Sequence, residues 1–437
     1  MSRNAGVSLI RVPSRGRLRL LWAAAVALGV LIGSGGISSA YAGAYQVTKL
    51  TDVDGGGKYD RFGYEVAANG DTVLIGAPYD DADLKNQGSA SVFVRSGTGW
   101  ALQAELTASD AAQGDQLGAS VALDGDTALV GATEANVAGR SDAGAAYVFR
   151  RSPTGWIEQA KLTPPRPDSD SGFGYSVALK GDLAVVGELY ADDSTGAATG
   201  AVHVFIRSGT TWTLRDTLFP SDGEGAGAGG VFIGGDLFGI SVALDQDTLV
   251  VGAAGHGVGV SGATDAGAAY VFVRSGTGWT AQAELSAADP TPGAGFGGSV
   301  ALSNGTALVG AELDRAGKAS GSAYAFVRTG TTWAQQANLT PSDGAPNDQF
   351  GNAVALIGNT AVIGSLYGGP PGANGSATGA AYVFVRSGTS WTQRLELAPP
   401  DGAGGERFGG SVSLDWSTLV VGASFAPGGG AAYVYDR

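Results

Sequence analysis

Cysteine is absent from the 437-residue chain, methionine occurs once and histidine occurs twice. The missing cysteine excludes thiol catalysis, thiolate metal sites and disulfide bonds. The two histidines, His203 and His256, lie far apart without the short spacing of metal-binding histidines, so a histidine metal site is not expected. Neither a G-x-S-x-G nucleophile motif nor a phosphate-binding P-loop occurs. The sequence therefore predicts a protein that is not an enzyme.

The first 42 residues differ in composition from the rest of the chain. They contain five arginines and no acidic residue, and an apolar run from Leu20 to Ile32 is short for a membrane span. Ala40-Tyr41-Ala42 matches the small-x-small pattern of a signal-peptide cleavage site. We therefore expect residues 1–42 to be a signal peptide cleaved after Ala42, with an uncleaved anchor as the alternative. Residues 43–437 would then be secreted, periplasmic or displayed on the cell surface.

Basic residues are scarce once this segment is removed. Five of the 26 basic residues lie in it, which leaves 21 against 40 acidic residues and a formal charge of −19. Nucleic acids and anionic membranes need a basic binding surface, so neither is expected as a partner, and no membrane insertion is expected after signal removal. The acidic surface permits binding of cations.

Glycine is abundant, and three landmarks recur seven times in a fixed order. The 74 glycines have no collagen-like period, which is typical of many short strands joined by tight turns. The F-G pair begins at Phe62, Leu117, Phe173, Phe238, Phe296, Phe350 and Phe408. A V-G-A-like step has its glycine at Gly76, Gly131, Gly187, Gly252, Gly310, Gly364 and Gly422. A G-A-A-Y-V-F-like segment begins at Gly88, Gly144, Gly200, Gly267, Gly321, Gly379 and Gly430.

Each repeat predicts four short strands. In the second repeat these are residues 118–123, 127–131, 145–151 and 156–162, and Asp124-Gly125 is a hairpin dipeptide. Four strands per unit of about 50 residues are typical of a propeller blade. The predicted fold is therefore all-β: a seven-bladed β-propeller of four-stranded antiparallel blades over residues 43–437.

The N-terminal end of this domain predicts how the ring closes. The seventh repeat has no fourth strand, whereas Tyr45–Thr51 stands alone before the first F-G pair and resembles Ala160–Thr163. We expect this segment to pair as the outer strand of the last blade, which would remove a free sheet edge.

A basic residue ends the third strand of every repeat, and in six repeats a tryptophan follows five residues later, as in Arg95 and Trp100. The hairpin between them predicts that the guanidinium stacks on the indole. A sugar-stacking platform is the functional alternative. Because the pair recurs in blade after blade, it is interpreted as a structural contact that holds the two strands of the hairpin together, and we call this contact the staple.

The loops differ between the two faces of the predicted propeller. Turns between strands one and two and between strands three and four are short and uniform. Loops between strands two and three and between strands four and one are longer, variable and acidic. We call the side formed by these longer loops the acidic loop face, and variability on one side of a repeat scaffold makes it the candidate binding surface.

The three landmarks, with L-T-P-S-D-G-type loops before the F-G pair, resemble the FG-GAP repeat family. They are most similar to its bacterial members and more distantly to the propeller of integrin α chains. The resemblance implies an extracellular or surface protein tied to adhesion or ligand binding. It also implies calcium in D-x-D-x-D-G loops between strands one and two. Here that turn is as short as Asp124-Gly125-Asp126, too short to wrap calcium, so the integrin-type loop is absent.

Acidic pairs remain in the loops between strands four and one, and they are the candidate calcium ligands. Solvated turn residues are the alternative interpretation, because aspartate and glycine favour turns. The pairs are Asp54 with Asp60, Asp110 with Asp115, Asp343 with Asp348, and Asp401 with Glu406.

The sequence thus predicts an exported, monomeric recognition or adhesion module that binds a protein or glycan through the acidic loop face, with calcium as the candidate cofactor. Two alternatives are a structural surface protein without a discrete ligand and a carbohydrate-active enzyme that uses paired carboxylates.

Overall fold

The computed structural model describes residues 46–52, 59–81, 84–223, 235–257, 265–276, 278–315 and 320–436. The predicted signal peptide and Asp54 lie outside these residues. Every regular element in the described ranges is a β-strand, and no helix there is long and apolar enough to cross a membrane.

The 28 strands of the described residues form seven four-stranded sheets, and all neighbouring strands pair antiparallel. Blade 1 contains β2 (Val66–Asn69), β3 (Thr72–Ala77), β4 (Ser89–Ser96) and β5 (Gly99–Leu106). Blade 2 contains β6 (Leu117–Asp124), β7 (Thr127–Ala132), β8 (Ala145–Ser152) and β9 (Gly155–Leu162). Blade 3 contains β10 (Phe173–Lys180), β11 (Leu183–Glu188), β12 (Ala201–Ser208) and β13 (Thr211–Leu218). Blade 4 contains β14 (Phe238–Asp245), β15 (Thr248–Ala253), β16 (Ala268–Ser275) and β17 (Gly278–Leu285).

The remaining blades follow the same order. Blade 5 contains β18 (Ser299–Ser303), β19 (Thr306–Ala311), β20 (Ser322–Thr329) and β21 (Thr332–Leu339). Blade 6 contains β22 (Phe350–Ile357), β23 (Thr360–Ser365), β24 (Ala380–Ser387) and β25 (Ser390–Leu397). Blade 7 contains β26 (Phe408–Leu414), β27 (Thr418–Ala423), β28 (Ala431–Asp436) and β1 (Gln46–Leu50). The predicted seven-bladed β-propeller is confirmed.

The first strand of the chain lies at the outer edge of blade 7. Its register against β28 runs from Gln46 opposite Asp436 to Leu50 opposite Ala432. On the inner side of this junction, Phe62 of blade 1 forms a parallel bridge with Gly430 of blade 7. Both ends of the domain therefore contribute to one sheet.

Close backbone contact between neighbouring blades explains two of the sequence landmarks. A Cβ atom on Gly131, in the V-G-A step of blade 2, would lie 2.1 Å from the carbonyl oxygen of Gly174 in blade 3. Gly174 belongs to the F-G pair and has a φ of +91°. The Ser120 hydroxyl donates to the same Gly174 carbonyl at 2.7 Å. The glycines recur because a side chain at either position would push neighbouring blades apart.

The phenylalanine of the F-G pair fills the core between blades. Phe238 is fully buried and packs edge-to-face on Tyr270 and Phe272 of β16, at centroid distances of 5.5 and 6.0 Å. The surrounding cluster contains Val185 of blade 3 as well as Val251 of blade 4. Each apolar core is therefore shared between two neighbouring sheets, so the blades stabilise one another.

The predicted stacking of arginine on tryptophan is present, and it extends between blades. In blade 2 the Arg151 guanidinium lies 4.9 Å from the Trp156 ring centroid, and Arg151 also donates to Thr72 of blade 1. The Trp156 indole donates to Gln103 of blade 1 at 2.9 Å. Only two residues connect the paired strands, because Ser152 still pairs with Gly155. The staple therefore links adjacent blades as well as the two strands of its own hairpin.

Candidate functional site

A central channel opens on the acidic loop face. Its cavity has a volume of about 760 Å³, and every one of the seven blades contributes residues to its wall. The wall consists of the first strand of each blade, and the mouth consists of the longer loops that precede the first strand and follow the second strand. This volume lies within the range of small-ligand sites, which is roughly 300–1,000 Å³.

Aromatic side chains that remain accessible to solvent surround the mouth. Tyr64, Tyr175, Tyr190 and Phe425 line the cavity, and their exposed fractions range from 39% to 45%. Tyr367, which is 44% exposed, lies beside them under the guanidinium of Arg407. Large exposed aromatic side chains are characteristic of binding surfaces, because they bury much apolar area when a ligand arrives.

Several mouth residues depart from the repeat. The position after the F-G pair holds Tyr64 in blade 1 and Tyr175 in blade 3, but glycine in blades 5 and 7. The next position is serine in five blades, and there each serine hydroxyl bonds to the next blade. Blade 1 has Glu65 instead. Serine at this position connects neighbouring blades. The glutamate of blade 1 therefore does not serve the structural role that serine has in those five blades.

The channel raises the pKa of its acidic groups. Burial raises the pKa of the Glu65 carboxyl to about 8, and burial also raises the pKa of Glu312. Burial and the nearby Asp142 and Asp170 raise the pKa of Glu134. For Tyr175, burial and the neighbouring tyrosines and glutamates raise the pKa to about 12. Much of the Glu65 population is therefore protonated at neutral pH and can donate a hydrogen bond to a ligand.

Two arginines give the mouth a cationic side. Arg407 lies 3.9 Å and Arg61 lies 4.9 Å from the ring centroid of Phe425. Arg61 also stacks on Tyr79 at 4.3 Å. Both arginines immediately precede an F-G pair, in blades 7 and 1. The mouth thus combines carboxyl groups, guanidinium groups and aromatic rings, which together suit a ligand with polar and apolar parts.

The predicted calcium ligands of the loops between strands four and one have partners within the protein. Asp110 accepts a hydrogen bond from the Tyr147 hydroxyl at 2.8 Å and pairs with Lys161 at 2.7 Å. Asp401 does the same with Tyr433 at 2.6 Å and Lys49 at 2.6 Å. In the third pair, the Tyr382 hydroxyl donates a hydrogen bond to Asp343 at 3.4 Å. The first member of each described pair therefore ties its loop to a tyrosine of strand three.

The second member of each of these pairs closes a turn. Asp115 accepts from the backbone of Ala112 at 2.8 Å, Asp348 from Ala345 at 2.6 Å, and Glu406 from Ala403 at 2.8 Å. Asp115 and Glu406 are buried, so they are not the solvated turn residues of the alternative interpretation. Calcium binding at these pairs stays a prediction.

Two groups of metal-ligating side chains meet in the described part of the chain. In one, Asp60 lies with Asp52 and Asp80 in blade 1, where Ser91 replaces the tyrosine of strand three. In the other, His256 lies with Asp222 and Glu284 in blade 4. His203 belongs to neither group: it replaces a strand-three tyrosine and binds Glu188 at 2.6 Å and Thr217 at 3.1 Å. Neither group was expected from the sequence, because their members are separated by up to 62 residues.

The raised pKa of Glu65 predicts a pH-dependent stability. Because the folded protein holds the proton of Glu65 more tightly than the unfolded chain, this group stabilises the fold fully below the usual pKa of 4.5 and loses that contribution as pH rises through about 8. We expect Glu65→Gln to gain stability relative to the natural sequence between about pH 5 and 8. Urea unfolding of both proteins across this range measures the difference, and a constant difference would contradict the shifted pKa.

The chain was compared with protein families and with curated proteins. A family model described as FG-GAP repeat matches residues 45–93, 100–149, 156–205, 212–272, 279–326, 333–384 and 391–435. No curated protein matches the chain. The seven matches cover most of the chain, and each runs from the fourth strand of one blade through the first three strands of the next. The chain therefore belongs to the FG-GAP repeat family.

Proposed function

We propose that this protein is an exported, non-catalytic recognition module that binds a protein or glycan through the acidic loop face, with the ligand held at the mouth of the central channel. Membership of the FG-GAP repeat family supports a ligand-binding or adhesion role in general terms. The location of the ligand is inferred from the chemistry of the mouth.

One observation supports this location most directly: the mouth residues differ from blade to blade. The repeated tyrosines, arginines and glycines connect blades and so maintain the scaffold. Tyr64, Glu65 and Tyr175 interrupt that repetition around one cavity. Side chains that leave apolar rings exposed beside half-buried carboxyl groups reduce solubility and stability, so a binding role is the simplest reason for them.

The proposal predicts that ligand binding depends on the mouth aromatics. Protein and glycan arrays probed with residues 43–437 should identify a ligand. We expect the double variant Tyr175→Ala, Tyr190→Ala to weaken binding to that ligand by at least about tenfold, because exposed aromatic side chains supply most binding energy at such sites. Titration calorimetry with calcium and with chelator then measures affinity and shows whether calcium supports binding.

Trp416→Ala is the matched control. Trp416 is 70% exposed and lies in the turn between β26 and β27, on the side opposite the acidic loop face. Unchanged binding in this variant would show that the loss is specific to the mouth. Equal losses in both variants would contradict the proposal, and arrays without any ligand would favour a structural surface protein.

A carbohydrate-active enzyme is the second candidate, and Glu65 favours it. A carboxylic acid that stays protonated near neutral pH is what glycoside cleavage requires of its general acid, and Glu312 is a further carboxyl group in the same cavity. Turnover of a polysaccharide that Glu65→Gln abolishes while binding persists would establish this function in place of recognition alone.

A further inference from the structure

The acidic loop face of blade 4 contains a buried histidine that the other blades lack. His256 lies four residues after Gly252 of the V-G-A step, and its side chain is only 5% exposed. The other six blades have aspartate, alanine or glycine at this position: Asp80, Ala135, Ala191, Asp314, Gly368 and Ala426. The imidazole packs edge-to-face on Tyr270 at 5.9 Å. Blade 4 therefore has an ionisable group that the repeat does not require.

Carboxylates surround both nitrogens of this imidazole. Nδ1 lies 3.2 Å from Oδ1 of Asp236, and Nε2 lies 3.9 Å from Oδ2 of Asp222. One ligand atom from each of Asp222, His256 and Glu284 lies within 4.8 Å of the others. Ligands around a tetrahedral zinc ion with bonds of about 2.0–2.1 Å are roughly 3.3 Å apart. Small side-chain movements would therefore bring these three atoms onto one ion.

Neighbouring groups position two of the three ligands. Asp236, which is almost fully buried, faces Nδ1 and so favours a proton there, which leaves the Nε2 lone pair directed at Asp222. The Tyr270 hydroxyl donates to Oδ1 of Asp222 at 2.8 Å, which leaves Oδ2 facing the imidazole. A histidine that is oriented by a second carboxylate is the usual arrangement in protein metal sites.

The charge opposite the strand-three tyrosine of blade 4 differs in sign from that of blades 2 and 7. The strand-four residue opposite the strand-three tyrosine is Lys161 in blade 2 and Lys49 in blade 7, and each ammonium group pairs with the loop aspartate. In blade 4 the residue opposite Tyr270 is Glu284. A carboxylate thus stands where blades 2 and 7 have the ammonium group that neutralises the loop aspartate, and blade 6 has a glutamate, Glu396, at the same position.

We propose that Asp222, His256 and Glu284 bind one divalent transition-metal ion of the zinc type, with Asp236 as the residue that orients the imidazole. One imidazole and two carboxylates suit Zn²⁺, whereas Ca²⁺ prefers six to eight oxygen ligands. The ion joins the loop before blade 4, the loop after β15 and strand β17, so it stabilises this part of the acidic loop face. The site does not depend on ligand binding at the channel mouth.

Zinc titration of residues 43–437, after treatment with chelator and dialysis, tests the proposal. We expect one zinc ion per chain, not displaced by excess calcium, and a higher melting temperature with zinc. His256→Ala should weaken zinc binding by about 100-fold or more, because it removes the only nitrogen ligand. Cobalt substitution should give visible absorption bands that His256→Ala removes.

Two further variants keep the test decisive if His256→Ala folds poorly. Glu284→Gln changes an exposed side chain conservatively and should weaken zinc binding by about tenfold or more. Glu396→Gln makes the same change opposite Tyr382 in blade 6, where Gly368 stands in place of the histidine, and should leave zinc affinity unchanged. The absence of saturable zinc binding, or equal affinity in the natural protein and Glu284→Gln, would overturn the proposal.

Discussion

Removal of residues 43–52 is expected to destabilise the whole propeller and to make it aggregate. These residues include β1, which pairs with β28 over five residues, and Leu50, which is only 5% exposed. Burial of a leucine side chain alone contributes about 1.5–3 kcal/mol, and the strand pairing adds to this. The deletion also removes Lys49 and its ion pair with Asp401. We expect a loss of several kcal/mol in the free energy of unfolding, measured by urea denaturation.

Aggregation is expected because the deletion uncovers β28, which then becomes the edge strand of blade 7 in place of β1. All six residues of β28 are buried, and without β1 the backbone groups of this strand on its outer side would face solvent. A synthetic peptide of residues 43–52 should bind the truncated protein and restore its stability, because it can pair with β28 as an added strand. A peptide of the same composition in scrambled order is the control. Unchanged stability of the truncated protein would contradict this role of β1.

The architecture could be predicted from the sequence because each landmark has a local physical cause that recurs seven times. Glycines such as Gly131 and Gly174 stand where backbones meet, and continuous apolar runs such as the first five residues of β8 mark buried strands. Even the pairing of Gln46–Leu50 with the last blade could be predicted, because that blade lacked one strand. Seven copies of the same signal outweigh the ambiguity of any single strand.

The roles of the loop carboxylates could not be predicted in the same way, because they depend on contacts between loops and strands distant in sequence. Asp110 was a candidate calcium ligand, and its bond to Tyr147 spans 37 residues. His256 was not expected in a metal site because no histidine lies nearby in the sequence, but folding brings Asp222 and Glu284 to it. A spacing rule detects ligands on one strand or helix, and it cannot detect ligands that three separate segments supply.

The mouth residues were missed for a different reason. Tyr64, Glu65 and Tyr175 directly follow the F-G landmark, and a search for repeats detects the residues that the blades share, not the ones in which they differ. Their signal is a departure from the repeat. Tyrosine stands where the other blades have alanine, isoleucine, glycine or asparagine, and glutamate stands where five blades have serine. In a repeat protein, residues that recur stabilise the scaffold, and departures that cluster in space indicate the binding site. Trp416 also departs from the repeat, but it is isolated on the opposite side, which makes it a suitable control.

Gly118→Ala is expected to destabilise the protein by several kcal/mol, although it adds a single methyl group. Gly118 belongs to the second F-G landmark and has a φ of +96°, a conformation that residues with a side chain rarely adopt. Its Cβ would lie 2.2 Å from the carbonyl oxygen of Ser89 and 2.9 Å from the backbone nitrogen of Ala77. Both atoms belong to the paired backbone of blade 1 and cannot move independently. The steric clash with the added methyl group can therefore be relieved only if blades 1 and 2 separate.

Gly125→Asn provides the matched control for this prediction. Gly125 has a φ of +58° in the turn after β6, and a Cβ there meets no atom within 4 Å. Asn304 and Gln246 occupy the equivalent turn position in other blades with φ values of +48° and +55°. We therefore expect Gly125→Asn to change the free energy of unfolding by less than about 1 kcal/mol, because asparagine tolerates this conformation. Urea denaturation compares the two variants, and equal effects would show that close contact between blades does not explain the F-G glycine.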